Sequence, residues 1–308
     1  MRQLFKLQNQ KIVPASESDA SIALYVNPTE EERHHLIQER EIDDHTISSA
    51  LDPEETARIE FEESFTAMIV KKPRAFKKVG HGYNENYQFG VSSLGIFIFE
   101  EMVIVISDNE FPFLSDRRFH RVTSLKSFSM QLIGYCTYHF MDHLRIMNQI
   151  SDELETQISQ SMENKYLLFM FSLSKGLVYY LDAINSNGML LRRIGNGQRL
   201  ALNETERELL EDISIDNQQS YRSAEIASDV LSTMMDARAS VVNNNLNQLM
   251  KFLSVITFGV GMVTLVVSTF SMNVRIPLSQ YDHAFWMVLG IAALALTLFF
   301  LFWRTRKW

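Results

Sequence analysis

Residues able to do chemistry are concentrated on one edge of the most apolar stretch of this chain. Ser254, Thr257, Gly261, Thr264, Ser268 and Ser271 recur at intervals of three and four, the spacing that puts side chains on one face of an α-helix. Every member is small or carries a hydroxyl. Toward the N-terminus the same face collects Met250, Asn247, Asn243 and Asp236, and toward the C-terminus it runs into Phe270-Ser-Met-Asn273. Two explanations fit. Small and hydroxylated residues let membrane helices approach closely, or they line a water-filled path with Asp236 at its inner end. Continuation of the stripe beyond the apolar run, as Asn and Asp, favours the lining.

Other candidates carry less. Cys136, His139, Asp142 and His143 fall at helical spacing and could make a metal site, but such residues are more often ordinary surface or interface groups. Gly259-Val-Gly261 lies inside an apolar helix and lacks the strand and loop of a phosphate cradle. Asp152-Glu-Leu-Glu155 reads as a solvated helix face. No Ser/His/Asp or Cys/His set with a local signature stands out, and no enzyme activity is expected.

The elements that must hold the stripe come next. Phe252 to Phe270 contains no Asp, Glu, Lys, Arg or His, and at about 1.5 Å per residue it spans the ~30 Å hydrocarbon core of a bilayer. Ala284 to Trp303 is a second such run. Lys251 precedes the first, Arg304, Arg306 and Lys307 follow the second, and the connector holds only Arg275, Asp282 and His283. Charge of this kind puts both termini in the cytoplasm, with Trp286 and Trp303 near opposite interfaces. From Glu204 no Pro or Gly interrupts the pattern until Gly259, so one very long helix is expected to enter the membrane. Its apolar seam Ala227, Leu231, Met234, Val242, Leu246, Leu249 and Leu253 wants partner helices.

Before that helix, Ile22–Val26, Phe65–Val70, Phe89–Val91, Leu94–Phe99 and Met102–Ile106 read as strands of a mixed sheet. A helix should begin at Asn27-Pro-Thr-Glu-Glu-Glu and another near Asp43 or Asp44. Phe76 to Gln88 looks like a hairpin connection. Residues from Ser127 to Ile194 read as helical, with breaks near Met162–Asn164 and Asn185–Gly188. The expected organisation is a cytoplasmic αβα domain over 1–125, long helices over 126–250, a pore-lining span over 251–272, an external loop over 273–283, a second span over 284–303 and a basic tail over 304–308.

Composition narrows the partners. The 37 acidic residues against 29 basic give a formal charge of −8, which argues against nucleic acid held by phosphate neutralisation. One cysteine, Cys136, excludes an internal disulfide. The first residues turn polar after Leu7, without the apolar run of a secretory signal, so export is not expected.

Phe270-Ser-Met-Asn273 is similar to the Tyr-Gly-Met-Asn that marks CorA-type magnesium channels at the end of the first of two C-terminal membrane helices. Further stretches resemble that family: Ala50-Leu-Asp-Pro-Glu-Glu-Thr-Ala-Arg58, Leu94-Gly-Ile-Phe-Ile-Phe99, Leu177-Val-Tyr-Tyr180, Met235-Asp-Ala-Arg-Ala-Ser-Val-Val-Asn-Asn-Asn-Leu-Asn247 and His283-Ala-Phe-Trp286. They are spread over nearly the whole chain. The resemblance implies a homopentamer in the inner cell membrane, with an α/β cytoplasmic funnel and the first membrane helices around the pore. It implies a selectivity filter of Ser271, Met272 and Asn273, whose ring of amides holds Mg2+ through retained waters. It implies an apolar constriction at Met250 and Leu253, polar rings at Asn247 and Thr264, and an inner acidic ring at Asp236. Asp212 would sense regulatory Mg2+. Its partner acid in some members matches Ser49 here, which leaves a weaker site or one that uses Asp52. Ser271 and Phe270 replace the family glycine and tyrosine, Gly261 stands where some members carry a bulky apolar residue, and Arg275 adds positive charge at the mouth. These departures keep a transporter of Zn2+, Co2+ or Ni2+ open as an alternative, beside a membrane-anchored sensor that conducts nothing.

Overall fold

The structure is a computed structural model that describes residues 1–79, 86–110, 112–160, 165–197, 199–272 and 281–305. Contacts divide it into two compact units, Met1–Met235 and Asp236–Trp308.

The first unit is built on a seven-stranded sheet. Its strands are β1 (Arg2–Gln8), β2 (Lys11–Pro14), β3 (Ile22–Val26), β4 (Arg58–Phe61), β5 (Thr66–Pro73), β8 (Val91–Ile98) and β9 (Val103–Ser107), while β6 (Lys77–Val79) and β7 (Asn86–Gln88) form a separate ribbon. The sheet order is β2-β1-β3-β9-β8-β5-β4. Only β3 and β9 run parallel, so the sheet is mixed as expected.

Alternation along the strands sorts the core into two layers. Ile22, Leu24, Met68, Val70, Leu94, Ile96, Val103 and Val105 face Phe128, Leu132, Ile133, Cys136, Leu190 and Ile194 from two long helices, α3 (Leu125–Gln160) and α4 (Lys165–Asn196). Ala23, Tyr25, Ala67, Ile69, Phe97, Ile104 and Ile106 face Leu36 of α1 (Glu30–Arg40), Ile47 and Ala50 of α2 (Asp44–Leu51), and Ile42 between the two helices. Helix α1 starts where the acidic run predicts, since Thr29 and Glu32 exchange side-chain to backbone bonds in a capping box. The segments expected at 1–125 and 126–250 share this core. Leu210 and Ile213, early in α5 (Glu204–Phe270), join it as well.

Two expectations fail. Phe89–Val91 and Leu94–Phe99 are not separate strands, since β8 runs unbroken from Val91 to Ile98. No break occurs at Asn185–Gly188, which lies inside α4. The reason is tertiary. Strand β4 ends its pairing with β5 at Arg58–Ile69, and α4 completes the ladder. Buried Asn187 accepts from the Lys71 N–H and donates to the Lys71 carbonyl, both at 2.8 Å, and Ser186 Oγ accepts from Ala57 N at 2.7 Å. A Cβ on Gly188 would lie 2.9 Å from Asn217 Nδ2, so glycine allows α5 to approach. Polar and glycine residues that discourage a helix in isolation are each used by a neighbour. Replacing Asn187 with Ala strands a buried N–H and a buried C=O. The expected destabilisation is about 2–4 kcal/mol, read as a lower midpoint in denaturant, and a change below ~0.5 kcal/mol would contradict it.

In the second unit the sole continuation of α5 beyond Met235 and one further helix, α6 (Ala284–Thr305), are the α-helices among the described residues. The apolar seam predicted on α5 divides accordingly. Ala227 and Leu231 are buried in a further cluster of the first unit, with Phe140, Leu177 and Tyr180, whereas Val242, Leu246, Leu249 and Leu253 are exposed.

Candidate functional site

The polar stripe lies on α5 and stays open. Asp236, Asn243, Asn247, Met250, Leu253, Ser254, Thr257, Gly261, Thr264, Ser268 and Ser271 are all exposed. Helix α6 packs on the other side. Gly259 is buried, and a Cβ there would meet Leu296 and Phe299 of α6 at 3.7 and 3.9 Å, while Val255, Val263, Val266 and Phe270 on the same face are partly covered. At about 100° per residue the covered face and the stripe are roughly half a turn apart. A Cβ on Gly261 meets nothing within 4 Å. The two glycines therefore have unlike roles: one seats α6, and the other belongs to the open face. Close packing inside the hairpin, the alternative explanation of the small residues, uses Gly259 and leaves the stripe aside. The sequence signal for that second face was available in the spacing of Val255, Gly259, Val263, Val266 and Phe270.

The hydroxyls have a defined polarity. Ser254 Oγ donates to Met250 O at 2.8 Å, Thr257 Oγ1 to Leu253 O at 2.9 Å and Thr264 Oγ1 to Val260 O at 2.9 Å. With each proton committed to a carbonyl one turn back, the outward resource of each hydroxyl is its oxygen lone pairs. Such a column accepts hydrogen bonds. The water shell of a cation presents its hydrogens outward, so acceptors suit it better than donors. The helix ends at Phe270, and Ser271 N donates to Ser268 O at 3.2 Å in the closing turn. Met272 follows and is exposed. Asn273 and Arg275 lie outside the described residues, as does the tail from residue 306.

The acids assigned to ion sensing sit on the first unit. Asp212 is exposed on α5 and Asp52 is exposed just after α2. The loop of Asp52 is held from below: buried Lys71 donates through Nζ to Pro53 O and Glu55 O at 2.6 Å each and to Ser93 Oγ at 3.1 Å, and Ser93 Oγ donates to Asp52 O. Ser49, by contrast, is buried and accepts from Arg58 Nη2 at 3.3 Å, so it offers no ligand outward. Among the described residues no group of three or more His, Cys, Asp or Glu side chains is arranged to hold a metal within one chain.

That statement includes Cys136, His139, Asp142 and His143. Burial pushes the Cys136 thiol up to about 12, Asp142 bonds Arg145 at 2.8 Å, and His143 Nδ1 lies 2.6 Å from the Tyr180 hydroxyl. Burial lowers His143 to about 4, with smaller effects from His139 and Asp142. The unfolded chain takes up this proton near pH 6.5, so His143 lends its full stabilisation above that pH and loses it as pH falls toward 4. The loss is on the order of 3 kcal/mol. The difference in unfolding midpoint between the native protein and His143→Gln should therefore narrow or reverse from pH 7 to pH 4.5; a constant difference would contradict the assignment.

Among the described residues, three helices are long and apolar enough to cross a membrane by length and composition: Tyr166–Asn196, Glu204–Phe270 and Ala284–Thr305. In the first, 39% of the most apolar window is buried inside the chain, against 6% in each of the others. Its apolar surface is already used by the sheet and by α3. The remaining two keep an exposed apolar girth that water would penalise and lipid would not.

The family described as CorA-like Mg2+ transporter protein matches residues 22–307. The chain is 24% identical over 294 residues to the cobalt/magnesium transport protein CorA of Methanocaldococcus jannaschii, covering 92% of this chain and 89% of that one. The complete structure of the CorA magnesium transporter from that organism superposes with a TM-score of 0.84 at 20% identity, over 100% of this chain and 98% of the other. The full-length CmaX protein superposes at 0.74 and 12% identity, over 99% and 97%.

Proposed function

Because this chain belongs to the CorA-like Mg2+ transporter family, a family of divalent-cation transporters and not of enzymes, we propose that it is a Mg2+ channel whose pore is lined by α5. The observation that carries this reading is the open face. The hydroxyls and amides from Asp236 to Ser271 lie opposite the side that α6 covers, and a row of acceptors on a helix otherwise clad in Val, Leu and Phe is poorly placed against lipid. Several copies of the chain bring the rows together around water, five of them on the reading that the family resemblance supports. Asn273 then supplies a ring of amides at the outer mouth. Mg2+ keeps its waters reluctantly released, and outer-sphere acceptors recognise it without stripping them. Met250 and Leu253, both large, exposed and apolar, form the constriction, and Asp236 the inner acidic ring. Both termini face the cytoplasm of a cell membrane.

Gating belongs to the cytoplasmic units. Asp212 and Asp52 are exposed and unclustered within one chain, so a divalent site using them needs carboxylates from adjacent copies. Internal Mg2+ would bridge the copies and close the path. Asp212→Ala should raise the internal Mg2+ concentration that halves flux by about tenfold, the loss of ~1.4 kcal/mol of binding; an unchanged response would place the sensor elsewhere.

The test of the whole reading is ion flux from purified protein in liposomes under a set voltage, with Mg2+, Co2+, Zn2+ and Ni2+ compared. Mg2+ entry down its gradient is the expected result. A preference for Co2+ is the second reading, supported by the cobalt/magnesium transport protein to which the chain is similar, and flux of Zn2+ or Ni2+ alone would favour a transporter of those ions. No flux of any ion would leave a membrane-anchored sensor.

A further inference from the structure

Two cations of the second unit stand at one height on its two helices. The approach of α6 at Gly259, where a Cβ would lie 3.7 Å from Leu296, fixes the register of the hairpin. From that level Lys251 lies eight residues toward the N-terminus of α5, and Arg304 eight residues toward the C-terminus of α6. In an antiparallel pair both steps run the same way, and at about 1.5 Å per residue each comes to about 12 Å. Both side chains are exposed. Each has a large exposed aromatic neighbour, Phe252 on α5 and Trp303 on α6. A cation beside an aromatic ring, repeated on both helices where the apolar girth ends, suits a bilayer interface, in which rings sit among headgroups and long cationic side chains extend into them.

This belt has no acid of its own unit to answer it. From residue 236 to the end of the sequence the acids are Asp236 and Asp282. Asp236 lies fifteen residues back along α5 from Lys251, about 22 Å away. Asp282 precedes α6 at its opposite end. Neither carboxylate is within reach of Lys251 or Arg304. Several copies of the chain around one axis repeat the pair in each copy, so positive charge accumulates at a single height.

We propose that Lys251 and Arg304 receive the phosphates of anionic phospholipids in the cytoplasmic leaflet, with Phe252 and Trp303 against the glycerol and upper acyl region. A zwitterionic lipid also carries a phosphate, but it brings an ammonium group into a belt that is already cationic. A headgroup of net negative charge is therefore preferred. Exposed cations hold a free phosphate ion weakly, because water screens the pair. The rings beside them give a lipid a second, apolar contact that the free ion lacks. The inference rests on the reading that α5 and α6 cross a membrane with this end inside, and it does not depend on which ion is carried.

Native mass spectrometry of the full chain in detergent, titrated with phosphatidylglycerol or phosphatidylcholine, tests it by counting the lipids retained. Half-saturation with phosphatidylglycerol should come at about a tenfold lower concentration than with phosphatidylcholine. Lys251→Gln and Arg304→Gln should each raise the phosphatidylglycerol value about fivefold and move the phosphatidylcholine value less than about twofold. Lys251→Arg and Arg304→Lys keep the charge and should keep the preference. Arg222→Gln removes an exposed cation from the first unit and should change neither value; an equal loss there would mean that net charge alone is read, and the belt would be abandoned. Sodium phosphate should displace phosphatidylglycerol no better than sodium chloride at equal ionic strength, and stronger displacement would make the ligand free phosphate and not a lipid. Equal half-saturation for the two lipids overturns the proposal, as does a preference that survives both Gln substitutions. Flux in phosphatidylcholine liposomes keeps the two readings apart: flux without the lipid preference removes the belt alone, and the preference without flux removes the channel alone.

Discussion

Cysteines placed singly at Thr257, Gly261, Thr264 or Ser268 should react with a cationic, membrane-impermeant thiol reagent, and their modification should stop cation flux. Cysteines at Val255, Gly259 or Val266 should react at least about tenfold more slowly, because a thiolate forms only where water reaches it. The contrast follows from the geometry of α5, on which α6 covers the second set and leaves the first set open. Native background is low, since the single cysteine, Cys136, is buried with its thiol pushed up to about 12. The glycine pair sharpens the comparison. A side chain at Gly259 also strikes Leu296 and Phe299, whereas one at Gly261 strikes nothing in its own chain. Gly259→Cys should therefore reduce the yield of assembled protein and Gly261→Cys should not. Equal reaction rates on the two faces would remove the lining and leave the stripe as a packing surface between copies.

The second large effect is at the mouth. Asn273→Ala should lower Mg2+ flux at least about tenfold with assembly unchanged, because a methyl cannot accept hydrogen bonds from the ion's retained waters. Flux should be measured beside the oligomer's elution volume, which separates a lost filter from a lost channel. Undiminished flux would mean that the amide does not read the ion. The residue follows directly on the turn in which Ser271 N bonds Ser268 O, so the acceptor column of α5 leads up to it along the chain.

Much of the membrane part was legible because its signals are local. A run without charge, a basic residue on either flank and a stripe at three-four spacing are properties of consecutive residues, and each has one cheap structural solution in a bilayer. Helix α1 was legible for a similar reason: Thr29 and Glu32 satisfy each other within one turn. Strands β1, β2 and β4 escaped notice. Arg2–Gln8 mixes charged and apolar residues at a sheet margin, and its place is set by pairing with Ile22–Val26, residues distant in the chain. Ser49 and Asp52 show the same limit at the site. Both are short polar residues at the end of α2, yet Ser49 turns inward to Arg58 and Asp52 stays in solvent on a loop braced by Lys71.

The amino-acid sequence by itself determined the uninterrupted reach of α5, two apolar spans and a single polar edge on the first of them. Those are consequences of periodicity and of the absence of breakers, which need no distant partner. Only the tertiary structure decided which edge of α5 receives α6, why Asn187 and Gly188 continue a helix, and that Cys136, His139 and His143 border a cleft with Lys72 and Ser92. Each of these depends on where a remote strand or helix comes to lie, because a polar group tolerates burial only when its partner arrives from elsewhere in the fold.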